Sequence, residues 1–158
     1  MSTTDVFQMV CTNNGDEVLS LIDSIDITQS NEWGENLLHT AIAYANTPLG
    51  EELVRRGIDV NHQNSDKDTP LHYAAEHGNL SLARIILGAG GDVNICDQHG
   101  NSPLWTAIHN AREDYSMVEL FLKYKADVSH KNNYGRTPID TARERGHSSL
   151  VCLLEASA

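Results

Sequence analysis

The feature that most constrains this chain is that it repeats itself. Displaced by 33 residues, Leu38 falls on Leu71 and Leu71 on Leu104, and a further shift of 35 takes Leu104 to Ile139. One template surrounds each anchor: Asn36-Leu37-Leu38-His39-Thr40-Ala41, Thr69-Pro70-Leu71-His72-Tyr73-Ala74, Ser102-Pro103-Leu104-Trp105-Thr106-Ala107 and Thr137-Pro138-Ile139-Asp140-Thr141-Ala142. A second anchor keeps step behind the first, in Gly57-Ile58-Asp59-Val60-Asn61, Gly90-Gly91-Asp92-Val93-Asn94 and Lys125-Ala126-Asp127-Val128-Ser129. Two anchors with one period imply a linear array. Each unit is one supersecondary element that buries its apolar face only against its neighbours.

The physics of a unit is clearest in the third copy. The Thr69 hydroxyl can cap a free backbone N–H, and Pro70 at the first helical position gives up an N–H that had no partner there. Leu71, Ala74 and Ala75 make a one-sided apolar stripe, with alanines small enough to let another helix approach closely. Gly78 and Asn79 end this helix. A second helix is expected from Leu80 to about Gly88, and Leu82, Ile85, Ile86 and Leu87 require burial on most of its sides. Gly90 and Gly91 stop it, and a polar turn around Asp97 to Asn101 leads to the next Ser102-Pro103 start. The unit is thus helix, tight turn, helix and hairpin-like loop.

These boxes resemble the ankyrin repeat, strongly over about residues 31–155 and weakly over the first thirty. The resemblance implies an all-α ankyrin-repeat solenoid of about five helix-turn-helix units joined by hairpin-like loops. A single domain is expected over 1–158, with units at about 1–30, 31–63, 64–96, 97–131 and 132–158. The first unit is a degenerate N-terminal cap, the next three are inner repeats and the last is a C-terminal cap. In the first, Val6, Phe7, Met9 and Val10 mark a short helix, Asn13-Asn14-Gly15-Asp16 the turn, and Val18, Leu19, Leu21 and Ile22 a second helix. Departures from the pattern are Asn36-Leu37 for Thr-Pro, Ala45-Asn46-Thr47-Pro48 for the Gly turn, Lys67 for Gly and Trp105 for His. Arg112-Glu113 is a two-residue insertion that accounts for the 35-residue shift.

Composition narrows the function. A chain of 158 residues with 40% hydrophobic content suits a soluble globular protein. No apolar run approaches the roughly 20 residues that span a bilayer, and the N-terminus lacks a basic region followed by an apolar one, so the cytoplasm is the expected compartment. Cys11, Cys96 and Cys152 lack metal-ligand spacing and read as reduced thiols. A net charge of −11 argues against nucleic acid, which needs clustered Lys and Arg, and favours a basic partner surface.

No chemistry beyond binding is indicated. His72 and Glu76 have a metal-compatible spacing on one helix but no third ligand. Gly88-Ala89-Gly90-Gly91 lacks the Lys-Ser/Thr of a phosphate loop, and no Ser or Cys stands in an elbow with an identifiable base. No cofactor, metal or catalytic residue is expected. By resemblance, His39 and His72 bond their own box and neighbouring backbone.

Resemblance also places the binding surface on the hairpin tips and the exposed side of the first helices, which line a concave face. Carried to this sequence, that face is Glu32, Trp33, Glu35, Ala43 and Tyr44 in the second unit, and Ser65, Asp66, Asp68, Glu76 and His77 in the third. The fourth unit supplies Gln98, His99, Asn101, His109, Asn110 and Arg112, and the last Asn133, Tyr134, Arg136 and Glu144. Trp33, Tyr44 and Tyr134 have no packing duty in the template, and exposed aromatics are enriched among interface hot spots. Glu32, Glu35, Asp66, Asp68 and Glu76 form an acidic run across adjacent units. The expected function is a non-enzymatic protein-binding module, monomeric when free, most simply an inhibitor or immunity-type protein that covers a basic surface. An adaptor joining two partners is the alternative, and a metal-dependent or hydrolytic enzyme a remote one.

Overall fold

The computed structural model describes residues 3–12, 15–112 and 114–157. Ten α-helices run through them: α1 (Thr3–Cys11), α2 (Gly15–Leu21), α3 (Leu37–Ala43), α4 (Thr47–Arg55), α5 (Pro70–His77), α6 (Leu80–Gly88), α7 (Pro103–Asn110), α8 (Ser116–Lys123), α9 (Pro138–Glu144) and α10 (Ser148–Ala156). A short 3-10 turn, Ile22–Ser24, extends α2. Each odd-numbered helix pairs with the even-numbered one that follows it. The odd helices stack in one layer, α1 on α3, α3 on α5, α5 on α7 and α7 on α9. A second layer holds α2 on α4, α4 on α6 and α6 on α8.

Capping sets the helix starts. Asn36 Oδ1 accepts from the N–H groups of Leu38 and His39 at 3.2 and 3.3 Å, doing for α3 what a hydroxyl does elsewhere. Thr137 and Asp140 close a reciprocal capping box at α9. Asn46 and Asn79 cap α4 and α6, and Pro48 lies in the first turn of α4, as its position predicts. Asn13 and Asn14 of the expected first turn, and Glu113 of the insertion, lie outside the described residues.

Both layers close on one apolar core. The repeated anchors Leu38, Leu71 and Leu104 have no exposed surface, and neither have Leu49, Leu53, Leu82, Ile86, Ile108 and Phe121; each such side chain contributes about 1.5–3 kcal/mol on burial. Within the second layer the helices approach closely where Gly50 of α4 faces α6, since a Cβ there would stand 2.5 Å from Leu82 Cδ2. In the first unit Val6, Phe7, Val10 and Val18 are buried, so this degenerate copy does cover the end of the core. Among the described residues no helix is long and apolar enough to cross a membrane.

Candidate functional site

Four hairpin tips project beside the first helices, and all four are built by one device. Asn31, Asn64, Asp97 and Asn132 each open a turn in which their side-chain Oδ1 accepts two backbone N–H groups, those two and four residues on, at 2.7–3.0 Å. The fourth position of each tip is left-handed: Gly34, Gly100 and Gly135 at φ 75°, 77° and 74°, and Lys67 at φ 64°. Lys67 therefore holds a backbone conformation that costs a non-glycine residue about 1–2 kcal/mol.

Successive tips are sewn together. Ser65 N–H donates to the Trp33 carbonyl, Gln98 N–H to that of Asp66 and Asn133 N–H to that of His99, each at 2.9 Å. The Gln98 side chain adds a 2.8 Å bond to the Asp66 carboxylate. Deeper in, His72 links units. Thr69 N–H donates to His72 Nδ1 at 3.0 Å, so the proton lies on Nε2, which donates to the Asn101 carbonyl at 3.1 Å. With both ring nitrogens engaged, His72 has no lone pair for a metal. His39 spans the same joint one unit earlier, between Asn36 Oδ1 at 2.8 Å and the Asp68 carbonyl at 3.1 Å. Burial holds its pKa down at about 4. Further back, Asn61 and Asn94 of the second anchor accept from Asp92 and Asp127 N–H at 2.8 Å.

Charge is unevenly distributed along the chain. Residues 1–30 contain five Asp or Glu and no Lys or Arg, whereas residues 132–158 contain three of each. Among the described residues, Glu32, Asp66, Asp68 and Glu76 have no ion pair. Pairs occur instead off the ribbon, from Arg55 to Glu52 and from Arg56 to Glu52 and Asp23, or at the C-terminal end, from Arg136 to Glu144 and from Arg143 to Glu155 and Asp140. Burial, reinforced by the charges of Asp97, Asp66 and Glu76, pushes the Asp68 carboxyl up to about 6. Trp33 is 62% exposed and Tyr44 50% beside these carboxylates, and Tyr134 is 71% exposed at the other end.

A family model for ankyrin repeats, three copies, matches residues 7–97 and 80–158. The chain is an ankyrin-repeat protein. No curated protein matches it in sequence. Ankyrin repeats are protein-protein interaction modules, and as a family they bind rather than catalyse.

Most residues expected on the face of this ankyrin array reach the surface. Glu32, Trp33, Tyr44, Ser65, Asp66, Glu76, His77, Gln98, His99, His109, Asn110, Arg112, Asn133, Tyr134 and Arg136 are exposed. Asn101 is the exception. It is only 8% exposed, its carbonyl accepts a hydrogen bond from His72 Nε2, its amide donates to Asp97 and its side-chain oxygen accepts from Asn132 at 2.8 Å. Its polarity is spent on joining units. Glu35 and Asp68 are half-buried, and Glu35 is held by Asn31 and by a short hydrogen bond from the Tyr73 hydroxyl. His109 stacks on Trp105 with ring centres 5.0 Å apart, and Tyr134 on His99 at 6.3 Å.

Two contributors escaped the sequence reading. Asp97 is part of the acidic group around Asp68, and the 33-residue shift from Asn64 would have placed it at a tip. Tyr73 orients Glu35 from the next unit, a contact that no periodicity announces because it joins unlike positions.

Proposed function

We propose that this ankyrin-repeat protein binds a partner with a basic surface through its concave face and acts by covering that surface, as an inhibitor or immunity-type protein does. It does so without catalysis, as a monomer when free, and in a reducing compartment that suits its three unpaired thiols. One observation carries this reading. Among the described residues, Glu32, Asp66 and Asp68 on tips locked together by backbone hydrogen bonds, and Glu76 on the adjoining α5, stand without a cationic partner. A preorganised surface of uncompensated charge stabilises a complementary partner at little ordering cost and speeds its encounter. Nucleic acid fits poorly, since its phosphates would meet the same carboxylates.

The test is affinity capture from the source cell's lysate with the wild type and an Asp66→Lys, Asp68→Lys, Glu76→Lys variant, then titration of the captured protein at increasing salt. One stoichiometric partner, weakened by the variant and by salt, is the expected result. Unchanged affinity and salt dependence in the variant would overturn the reading. An adaptor is favoured by a different observation: Tyr134 and Arg136 on the last tip, with Arg112 beyond α7, make the C-terminal half of the face chemically unlike the half around Trp33. Two partners captured together, each lost with one half of the face, would establish that alternative.

A further inference from the structure

The second and third units place the same ring at their joints in different surroundings. At His72, Thr69 N–H points at Nδ1 from 3.0 Å, so that nitrogen is an acceptor and the ring proton sits on Nε2. At His39 the residue opening the box is Asn36, whose side-chain oxygen, an acceptor, stands 2.8 Å from Nδ1. The amide cannot be reversed to offer a donor there. Its oxygen caps α3 by accepting from Leu38 and His39 N–H, and its Nδ2 donates to the Asp59 carbonyl at 2.9 Å. His39 Nε2 meets a second acceptor, the Asp68 carbonyl, at 3.1 Å. A neutral imidazole carries one N–H and serves only one of the two, whereas the imidazolium donates to both.

The shorter contact decides where a single proton rests, because a lone pair facing an oxygen at 2.8 Å is opposed more strongly than one at 3.1 Å. We propose that His39 is a proton-operated clasp: neutral, it keeps its proton on Nδ1 for Asn36 and leaves its link to the third unit unmade, and on protonation it gains an Nε2–H that closes on the Asp68 carbonyl. His39 and His72 thus hold opposite tautomers at neutral pH. Acid adds to the second unit's joint a bond that the third unit's joint already has. The open form is tolerated because the Asp68 carbonyl also accepts from Asn64 N–H at 3.0 Å. The clasp ties the start of α3 to the tip that carries Asp66 and Asp68, so pH acts on the seating of that tip.

The groups around the ring set the terms of its protonation. His62, from the loop after α4, lies edge-on at 5.9 Å, and Tyr73 of α5 edge-on at 4.9 Å. Charge on His62 or on His72 of α5 opposes a second proton on His39. Burial and Glu35 keep the Tyr73 hydroxyl protonated, and Asp59 and Asp68 bond Asn36 and His39 through carbonyls. Burial depresses both box histidines, but it does not separate them, since His39 is 0% and His72 2% exposed. Asp97 favours a proton on His72, yet Thr69 N–H already occupies the Nδ1 that would receive it. What faces Nδ1 is therefore the difference that counts.

Long-range proton–nitrogen NMR correlation of the imidazoles in the full chain, between about pH 8 and pH 4, tests this. His39 is expected in the Nδ1–H form and His72 in the Nε2–H form at neutral pH, with His39 titrating about one unit or more above His72. Asn36→Thr keeps a capping oxygen for α3 and supplies a hydroxyl that can donate to Nδ1. It is expected to move the His39 proton to Nε2 and to lower its titration midpoint by about one unit. An Nε2–H form of His39 in the wild type, or titration of His39 at or below His72, would overturn the clasp. So would an Asn36→Thr variant that folds and leaves tautomer and midpoint unchanged. Should acid unfold the chain before either ring titrates, or the variant fail to fold, the two tautomers of the wild type at neutral pH decide alone.

Discussion

The third and fourth units carry the same box and are joined to their C-terminal neighbours in different ways. In the third, His72 Nδ1 accepts a hydrogen bond from Thr69 N–H and its Nε2–H donates one to the Asn101 carbonyl, so one ring ties a helix start to the next unit's loop. In the fourth, Trp105 stands at that position. Its ring stacks on His109 with 10° between planes, but its indole Nε1 is buried with no hydrogen-bond partner among the described residues. The larger side chain gains contact area and forfeits the bridge. What this teaches is that a repeat array is not uniform along its length: the joint between units is set by single polar atoms as well as by shared leucines.

The largest effect is expected from His72→Ala. It leaves buried polar groups of Thr69 and Asn101 without partners and is expected to cost about 2–3 kcal/mol in urea unfolding. A loss no larger than that of an exposed control, such as His77→Ala, would mean the bridge is not what holds this joint. Trp105→His sharpens the same contrast from the other side. By removing an unpartnered indole N–H and restoring the bridging chemistry, it is expected to raise stability by about 1 kcal/mol; a lower denaturation midpoint would show that Trp105 packing outweighs the missing bond.

Asp68 tests the acidic end. A carboxyl held at about 6 in the fold is raised above its ordinary value, so the folded state binds more protons than the unfolded one and stability falls as pH rises through 6. Asp68→Asn is expected to stabilise the protein by about 1 kcal/mol at pH 7, allowing for the screening of a half-exposed group, with the gain shrinking through pH 6 and absent below about pH 4. A pH-independent difference would remove the electrostatic explanation. Because a basic partner would offset those neighbouring charges, its affinity is expected to rise as pH increases from about 5 to 7. The smallest effect is expected from Lys67→Gly, about 0.5–1 kcal/mol of stabilisation from relieving the left-handed residue at φ 64°, partly offset by the greater freedom of glycine in the unfolded chain. Lys125 at φ 62° and Ala45 at φ 53° stand where other units place glycine and belong to the same series.

Much of the fold was legible before any coordinates. The expected helix from Leu80 to Gly88 is α6, the start at Thr69-Pro70 is the start of α5, and Gly78 does end it at φ 66°. These are local signals, settled within one turn by caps, proline and left-handed glycine. The exposure of Trp33, Tyr44 and Tyr134 was legible too, because the template assigns those positions no neighbour. Less could be read about the polar residues. Asn101 looks like a surface amide in a polar turn, yet it is buried under bonds from His72 and Asn132, which lie 29 and 31 residues away. Asp97 and Tyr73 join the face for the same kind of reason.

Sequence alone therefore determined the kind of object this is: a stack of helix pairs with capped ends, since period, caps and apolar stripes act at short range and recur in every unit. Tertiary structure decided which polar atoms remain free to meet a partner. Asn31 and Asn64 use their side chains to close tips, and His72 and Asn101 use theirs to join units. Hydrogen bonds between units connect residues about one repeat apart in the chain, and their existence depends on the stacking that brings those residues into contact.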